Sequence, residues 1–162
     1  MGRMTIAPVS GAMRSHSNMP TLTDFSVRLV DWRDSSDVLS HIRTVVFVGE
    51  QQVPPELEMD GRDGECVHVL AESPRGDAIG TGRLMADGRI GRMAVLREWR
   101  GSGVGGAMLR ALMEEARRRG FGEVYLHSQS HARDFYLRHG FVTEGEEYEE
   151  AGIPHIAMRA SL

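Results

Sequence analysis

The chain has 162 residues with 41% hydrophobic and 26% charged side chains, enough for one globular domain and too few for a second catalytic one. Its 19 basic residues are all arginine and face 23 acids for a net charge of −4, which excludes lysine-dependent chemistry and argues against bulk nucleic-acid binding. Cys66, the sole cysteine, excludes an intramolecular disulfide and a thiolate metal cluster and fits a cytoplasmic protein, and no apolar run approaches the ~20 residues of a membrane span.

Residues 1–24 read as a flexible extension, broken by Pro8, Ser10, Gly11 and Arg14, with Met19 as an alternative start. Residues 25–162 read as a single domain. Phe25–Trp32 alternates as a strand. Asp34, Ser35 and Ser36 offer caps for a helix whose face is Val38, Ile42, Val45 and Val46, ended by Gly49 and Pro54-Pro55. Gly49 to Glu65 is an acidic loop or short broken helix.

Glu65–Glu72 and Asp77–Ala86 predict a hairpin around Ser73-Pro74-Arg75-Gly76. Asp87-Gly88 turns the chain into a strand over Arg89–Leu96, with Ile90, Ala94 and Leu96 on one face and Met93 and Val95 on the other. A helix from Val104 to about Arg119 buries Val104, Met108, Ala111, Leu112 and Ala116. A short strand over Gly122–Ser128, a helix from about Ser130 to His139, and strands over Phe141–Tyr148 and Ile153–Ala160 complete the order. Hairpins and crossovers both occur, which predicts a mixed sheet flanked by helices, an α/β fold in the broad sense.

The segment Arg100-Gly101-Ser102-Gly103-Val104-Gly105-Gly106 opens a helix directly after a strand. Unpaired N–H groups and the positive end of the helix dipole converge there, glycines let a ligand approach the main chain, and the fitting guest is a phosphate or pyrophosphate. Arg100 adds a charge and Ser102 a hydroxyl. No Lys-Ser/Thr follows, so this is not a Walker loop, and its place after a hairpin fits a dinucleotide fingerprint poorly.

Met93-Ala94-Val95, the Arg100–Gly105 turn and Phe135-Tyr136-Leu137-Arg138-His139-Gly140-Phe141 together resemble the GNAT acyltransferase family over Phe25–Ala160. Val46-Phe47, Glu50-Gln51, Val53-Pro54, Glu58, Asp60, Gln129 and Gly152-Ile153-Pro154-His155 are similar to its ElaA-type branch. Arg97 stands where the wider family often has proline.

The resemblance implies a mostly antiparallel sheet with two splayed parallel strands and acetyl-CoA as co-substrate. Its pyrophosphate would lie on Arg100–Gly106 and its pantetheine arm beside Met93, Ala94 and Val95, with Gln129 and Tyr136 also bordering it. A main-chain N–H near Ala94 or Val95 would meet the thioester oxygen. Tyr136 is the implied acid for the departing thiolate. Glu50 and His155 are both candidates for the base, since deprotonating an alkylammonium at pH 7 costs about 4–5 kcal/mol. The implied reaction is N-acetylation of a small-molecule or peptide amine, the alternative being an acyl-CoA-binding module without turnover.

His68 and His127 read as hydrogen-bonded sheet residues, and no histidine pair has metal-site spacing, so no metal is expected. Glu50, Glu56, Glu58, Asp60, Asp63 and Glu65 against Arg62 read either as a solvated loop or as a negative rim for a cationic amine. Glu146, Glu147, Glu149 and Glu150 read as an exposed hairpin turn. No nucleic-acid or membrane partner is expected, and a homodimer is the expected assembly.

Overall fold

The structure, a computed structural model, describes residues 24–162. The expected N-terminal extension therefore lies outside the described residues, apart from Asp24. Strand β1 (Ser26–Val30) leads into helix α1 (Trp32–Arg43), which continues through a π-helical turn over Thr44–Glu50. The helix starts earlier than Asp34–Ser36 suggested, with Asp31 at its N-cap, and it runs past Gly49. The acidic segment holds a one-turn helix α2 (Pro55–Glu58), started by a proline whose missing N–H is harmless there, and a 3₁₀ turn over Asp63–Glu65.

Strands β2 (Val67–Glu72), β3 (Ala78–Leu84) and β4 (Ile90–Val95) join β1 in an antiparallel sheet ordered β1-β2-β3-β4. Helix α3 (Val104–Arg118) follows, then β5 (Glu123–Gln129), helix α4 (Arg133–Leu137), β6 (Val142–Glu150) and β7 (Ile153–Ser161). The last three strands form a second antiparallel sheet ordered β5-β7-β6. A single parallel bridge, Arg89 to Tyr125, joins the two sheets. From there β4 and β5 diverge.

Glu146–Glu150 is strand and not turn; Ala151 and Gly152 make the turn, both with positive φ. β6 is an edge strand exposed along its whole length. Its glutamates discourage pairing with another sheet.

The main core packs Val104, Met108, Leu109, Leu112 and Ala116 of α3 against Val69, Ile79, Val124, Leu126 and Met158 of both sheets. On the opposite face Ile42, Val46 and Phe47 cover Ala94, with Leu96 against them. β4 does not keep the alternation expected of it. Ile90, Met93 and Val95 all belong to the α3 side, while Ala94 and Leu96 face α1. The cause is a bulge: the register with β3 slips between Thr81 and Arg83, and Arg92 has φ +50°. One extra residue exchanges the faces of everything beyond it. Gly82 stands opposite, where a Cβ would come within 2.4 Å of Met93 Sδ.

Candidate active site

Two diverging strands leave an unpaired edge on each side of a gap. Leu96 N–H donates to Ile79 O across the β3–β4 ladder at 2.9 Å. Neighbouring residues of a strand point opposite ways, so the N–H and C=O of Val95 turn into the gap. Val95 O accepts from Arg100 Nε at 2.8 Å, which ties the strand to the turn that follows it. Of the two donors considered in the sequence, Ala94 and Val95, the ladder orients Val95 toward the gap.

The turn leaves main-chain donors uncapped at the start of α3. Gly103 is the N-cap of α3 with φ +94°, a conformation open to glycine, and no side chain caps the helix. The first helical bond here is Ala107 N–H to Gly103 O at 3.1 Å, so the N–H groups of Val104, Gly105 and Gly106 have no main-chain partner among the described residues. Three free donors and a helix dipole fit a pyrophosphate. Two residues expected in this cradle direct their side chains elsewhere. Ser102 Oγ donates to Trp99 O at 2.6 Å, and the Val104 side chain is buried in the core, so Val104 offers only its N–H.

A cleft of about 1280 Å³ runs from this turn through the gap to the ends of β5 and β7. Met93, Ala94, Val95, Arg100, Gly101 and Gly103 line it along β4 and the turn. Gly105, Gly106, Gln129, Tyr136, Glu50 and His155 line the rest, so the structure brings together the expected site residues except the two side chains just named.

Tyr136 is held by edge contacts with Phe135 and Phe141, ring centroids 4.9 and 5.7 Å away. Its hydroxyl makes no hydrogen bond among the described residues, and its oxygen keeps contact with solvent on the cleft side. Burial pushes its phenol well above the ordinary tyrosine range, which keeps it protonated.

His155 Nδ1 lies 2.7 Å from Ile153 O. A carbonyl only accepts, so Nδ1 carries the proton and, in the neutral ring, Nε2 keeps a lone pair. Glu50 reaches the cleft from the end of the π-helical turn, and its Oε1 accepts from Arg100 Nη2 at 2.7 Å. Gln51 and Gln129 exchange amide hydrogen bonds at 2.7 and 3.2 Å, closing the end of α1 against the end of β5.

The acidic segment is neither solvated loop nor open negative rim. Arg43 is 1% exposed and binds Glu58 Oε2 at 2.5 Å and Asp63 Oδ1 at 2.6 Å. Arg83 binds Asp60 at 2.5 Å and Asp63 at 2.9 Å. Arg92, turned by the bulge, donates to Glu58 O at 2.9 Å. Three arginines from α1, β3 and β4 thus neutralise three of the acids, and counting charge along the segment missed them because they lie elsewhere in the chain. A hydrogen bond from Arg83 holds the Asp60 carboxyl well below its usual range. Burial works against Asp63, but Arg43 and Arg83 hold it low as well.

His68 is a buried sheet histidine bonded to Asp63 O at 2.9 Å, as expected. His127 is likewise a hydrogen-bonded sheet residue, its Nδ1 2.5 Å from the hydroxyl of Tyr148, and it also lines the cleft. Strand alternation from Gln129 would have placed it on this face. Among the described residues no group of three His, Cys, Asp or Glu side chains is suited to a metal, and no helix is long and apolar enough to cross a membrane.

Known proteins resemble this chain in sequence and in fold. Residues 43–162 match the model of the acetyltransferase (GNAT) domain. An uncharacterized N-acetyltransferase of Bacillus subtilis, YjcF, is 38% identical over 125 residues, 73% of this chain and 86% of that protein. The crystal structure of an acyl-CoA N-acyltransferase from Pseudomonas aeruginosa superposes with a TM-score of 0.74 at 33% identity, covering 85% of this chain and 99% of that one. Escherichia coli ElaA gives the same TM-score, 0.74, at 29% identity, with 85% and 99% covered. The chain therefore belongs to the GNAT acetyltransferase family.

Proposed function

We propose that the protein is a cytoplasmic N-acetyltransferase moving an acetyl group from acetyl-CoA to a primary amine by direct attack within a ternary complex. The observation that carries this reading is the gap between β4 and β5, with free main-chain donors on one wall and an unpaired tyrosine hydroxyl opening on it. When bound, acetyl-CoA supplies a thioester: a C–N bond forms at its carbonyl carbon, the C–S bond breaks, and the products are an amide and free thiol.

The chain's residues then divide the work. The N–H groups of Val104, Gly105 and Gly106, with Arg100, hold the pyrophosphate. Met93, Ala94 and Val95 present main chain to the pantetheine arm. The Val95 N–H faces the gap and stabilises charge as it develops on the thioester oxygen. His155 Nε2 takes the proton that the amine loses. Tyr136 donates its proton to the leaving sulfur and regains one from solvent, while His155 releases one, so protons balance. Glu50 is the second base candidate; its bond to Arg100 favours a role in positioning that guanidinium. Gln129, locked to Gln51, holds the end of β5 beside the arm. A homodimer is the proposed assembly.

Amine-dependent thiol release from acetyl-CoA tests the reading. Release that requires an amine and yields an N-acetyl product supports it. Coenzyme A binding without release across a broad amine panel refutes it.

A further inference from the structure

The cleft extends past the acyl site onto the α1 face of the second sheet. Strand alternation puts Tyr125, His127 and Gln129 on that face, opposite Arg159, Ala157 and His155 in the β5–β7 ladder. Arg89 enters the same space from the start of β4, where it bridges to Tyr125. Its guanidinium makes no ion pair and no side-chain hydrogen bond among the described residues.

That isolation separates Arg89 from its neighbours. Arg83 is held by Asp60 and Asp63, Arg92 by Glu58 O, and Arg100 by Glu50, with Arg97 3.8 Å from Glu50. Arg159 is taken by Glu123 and Glu144. Two further cleft arginines, Arg110 on α3 and Arg138 after α4, also have no ion pair among the described residues; Arg110 lies at the turn before α3, its Nη1 3.3 Å from where a Cβ on Gly106 would stand.

Among the described residues no carboxylate pairs with the Arg89 guanidinium: Asp87 holds the Tyr125 hydroxyl and the Arg89 main-chain N–H instead. The Arg89 charge reaches His127 and Tyr148, which lie 2.5 Å apart, nitrogen to oxygen. Burial first, and Arg89 second, hold His127 below the ordinary imidazole range, so it faces Arg89 as a neutral ring. Glu150, the nearby carboxylate, sits 3.3 Å from the Tyr148 hydroxyl and makes no ion pair with Arg89. A lone guanidinium in a cleft presents a planar fork that matches a carboxylate with two parallel hydrogen bonds.

We infer that Arg89 anchors a carboxylate on the acceptor, and that the acceptor class is an amino-carboxylate lying between Arg89 and the Val95–His155 end of the gap. This rests on the acyltransferase reading for its amine and stands apart from it for its acid. The acidic-rim expectation pointed to purely cationic amines. With Glu58, Asp60 and Asp63 neutralised, Arg89 is a cation on this side of the cleft with no ion pair among the described residues, and Glu150, which holds the Tyr148 hydroxyl, is a carboxylate there that also has none.

The test measures binding as well as turnover. Glycine, β-alanine, γ-aminobutyrate and ε-aminocaproate, each beside its primary amide, are titrated by calorimetry into the protein saturated with coenzyme A. The same compounds are assayed for thiol release from acetyl-CoA. The best acid is expected to bind at least about tenfold tighter than its amide. In Arg89→Met that preference falls toward unity while coenzyme A still binds, and Arg89→Lys, which keeps the charge without the fork, retains part of it.

Absence of a preference in the wild type, a preference that survives in Arg89→Met, or failure of every acid to bind overturns the inference. The wild-type comparison decides alone if the variants do not fold. Acids that bind with this pattern but never release thiol leave the anchor standing and defeat the acyltransferase reading. Amides acetylated as well as acids do the reverse.

Discussion

Replacing Tyr136 with phenylalanine deletes one hydroxyl from the site and leaves the ring. The ring keeps its edge contacts with Phe135 and Phe141, at 4.9 and 5.7 Å between centroids, so the packing that sets its position survives. The lost oxygen forfeits no hydrogen bond within the described residues. Stability therefore changes by less than about 1 kcal/mol, and Tm by no more than about 4 °C. Donating a proton to a leaving group contributes about 10²–10⁴-fold. Single-turnover acetylation should slow at least about 100-fold, equivalent to about 2.7 kcal/mol of barrier.

Coenzyme A affinity, which the turn on α3 supplies, should stay within about threefold, a difference of ~0.7 kcal/mol. Burial raises the phenol above its ordinary value near 10, so the wild type should show no alkaline loss from Tyr136 below about pH 10. The same apolar surroundings raise a thiolate beside it, which keeps donor and acceptor from drifting apart. Single-turnover kinetics by rapid quench, with calorimetry for coenzyme A, separates the two effects. A Tyr136→Phe variant that acetylates at the wild-type rate refutes the acid role, and one that loses coenzyme A in step with rate makes the hydroxyl a binding group.

Three other outcomes follow from the same structure. Arg43→Met strands two buried carboxylates, Glu58 and Asp63, and should cost about 3–5 kcal/mol, read as a Tm fall of roughly 10 °C; an unchanged Tm would mean the network is not closed in solution. Gly103→Val puts a branched residue at φ +94° and should weaken coenzyme A binding at least about tenfold, a loss of ~1.4 kcal/mol, whereas unaltered calorimetry would detach the turn from the ligand. Stability should also fall with acid in two stages. His68, lowered chiefly by burial, is more easily protonated in the unfolded chain, so stability declines as pH drops below about 6.5. Asp60 and Asp63, held low by arginines, contribute stability above about pH 4 that is lost as pH falls further. His68→Gln should shrink the first stage in thermal scans across pH, leaving the part that His127 and His131, also lowered by burial, contribute, and should leave the second unchanged.

What the sequence discloses here is what is local. The apolar face of α3 and the glycines before it are read within one window, and Val104, Met108, Leu112 and Ala116 are buried where their spacing put them. Arg43 could not be read this way. It lies beside Ile42 on an amphipathic helix, and its partners Glu58 and Asp63 follow 15 and 20 residues later, with no pattern linking them. The bulge at Arg92 was hidden because the residues of β4 are apolar on both faces, so either phase of the alternation suits them. The run from Glu146 to Glu150 looked like a turn because charge usually marks one, and an exposed edge strand is the exception. His127 and Tyr148 meet only because β6 and β5 flank β7, a fact of topology.

The central claim is that the gap between β4 and β5 delivers an acyl group to an amine. The most direct measurement incubates the purified protein with acetyl-CoA and an amine panel, follows free thiol, and weighs the products by mass spectrometry. The account predicts thiol release that depends on the amine, matched mole for mole by N-acetylated product. Thiol released at the same rate without amine, or none released by protein that binds coenzyme A, contradicts it.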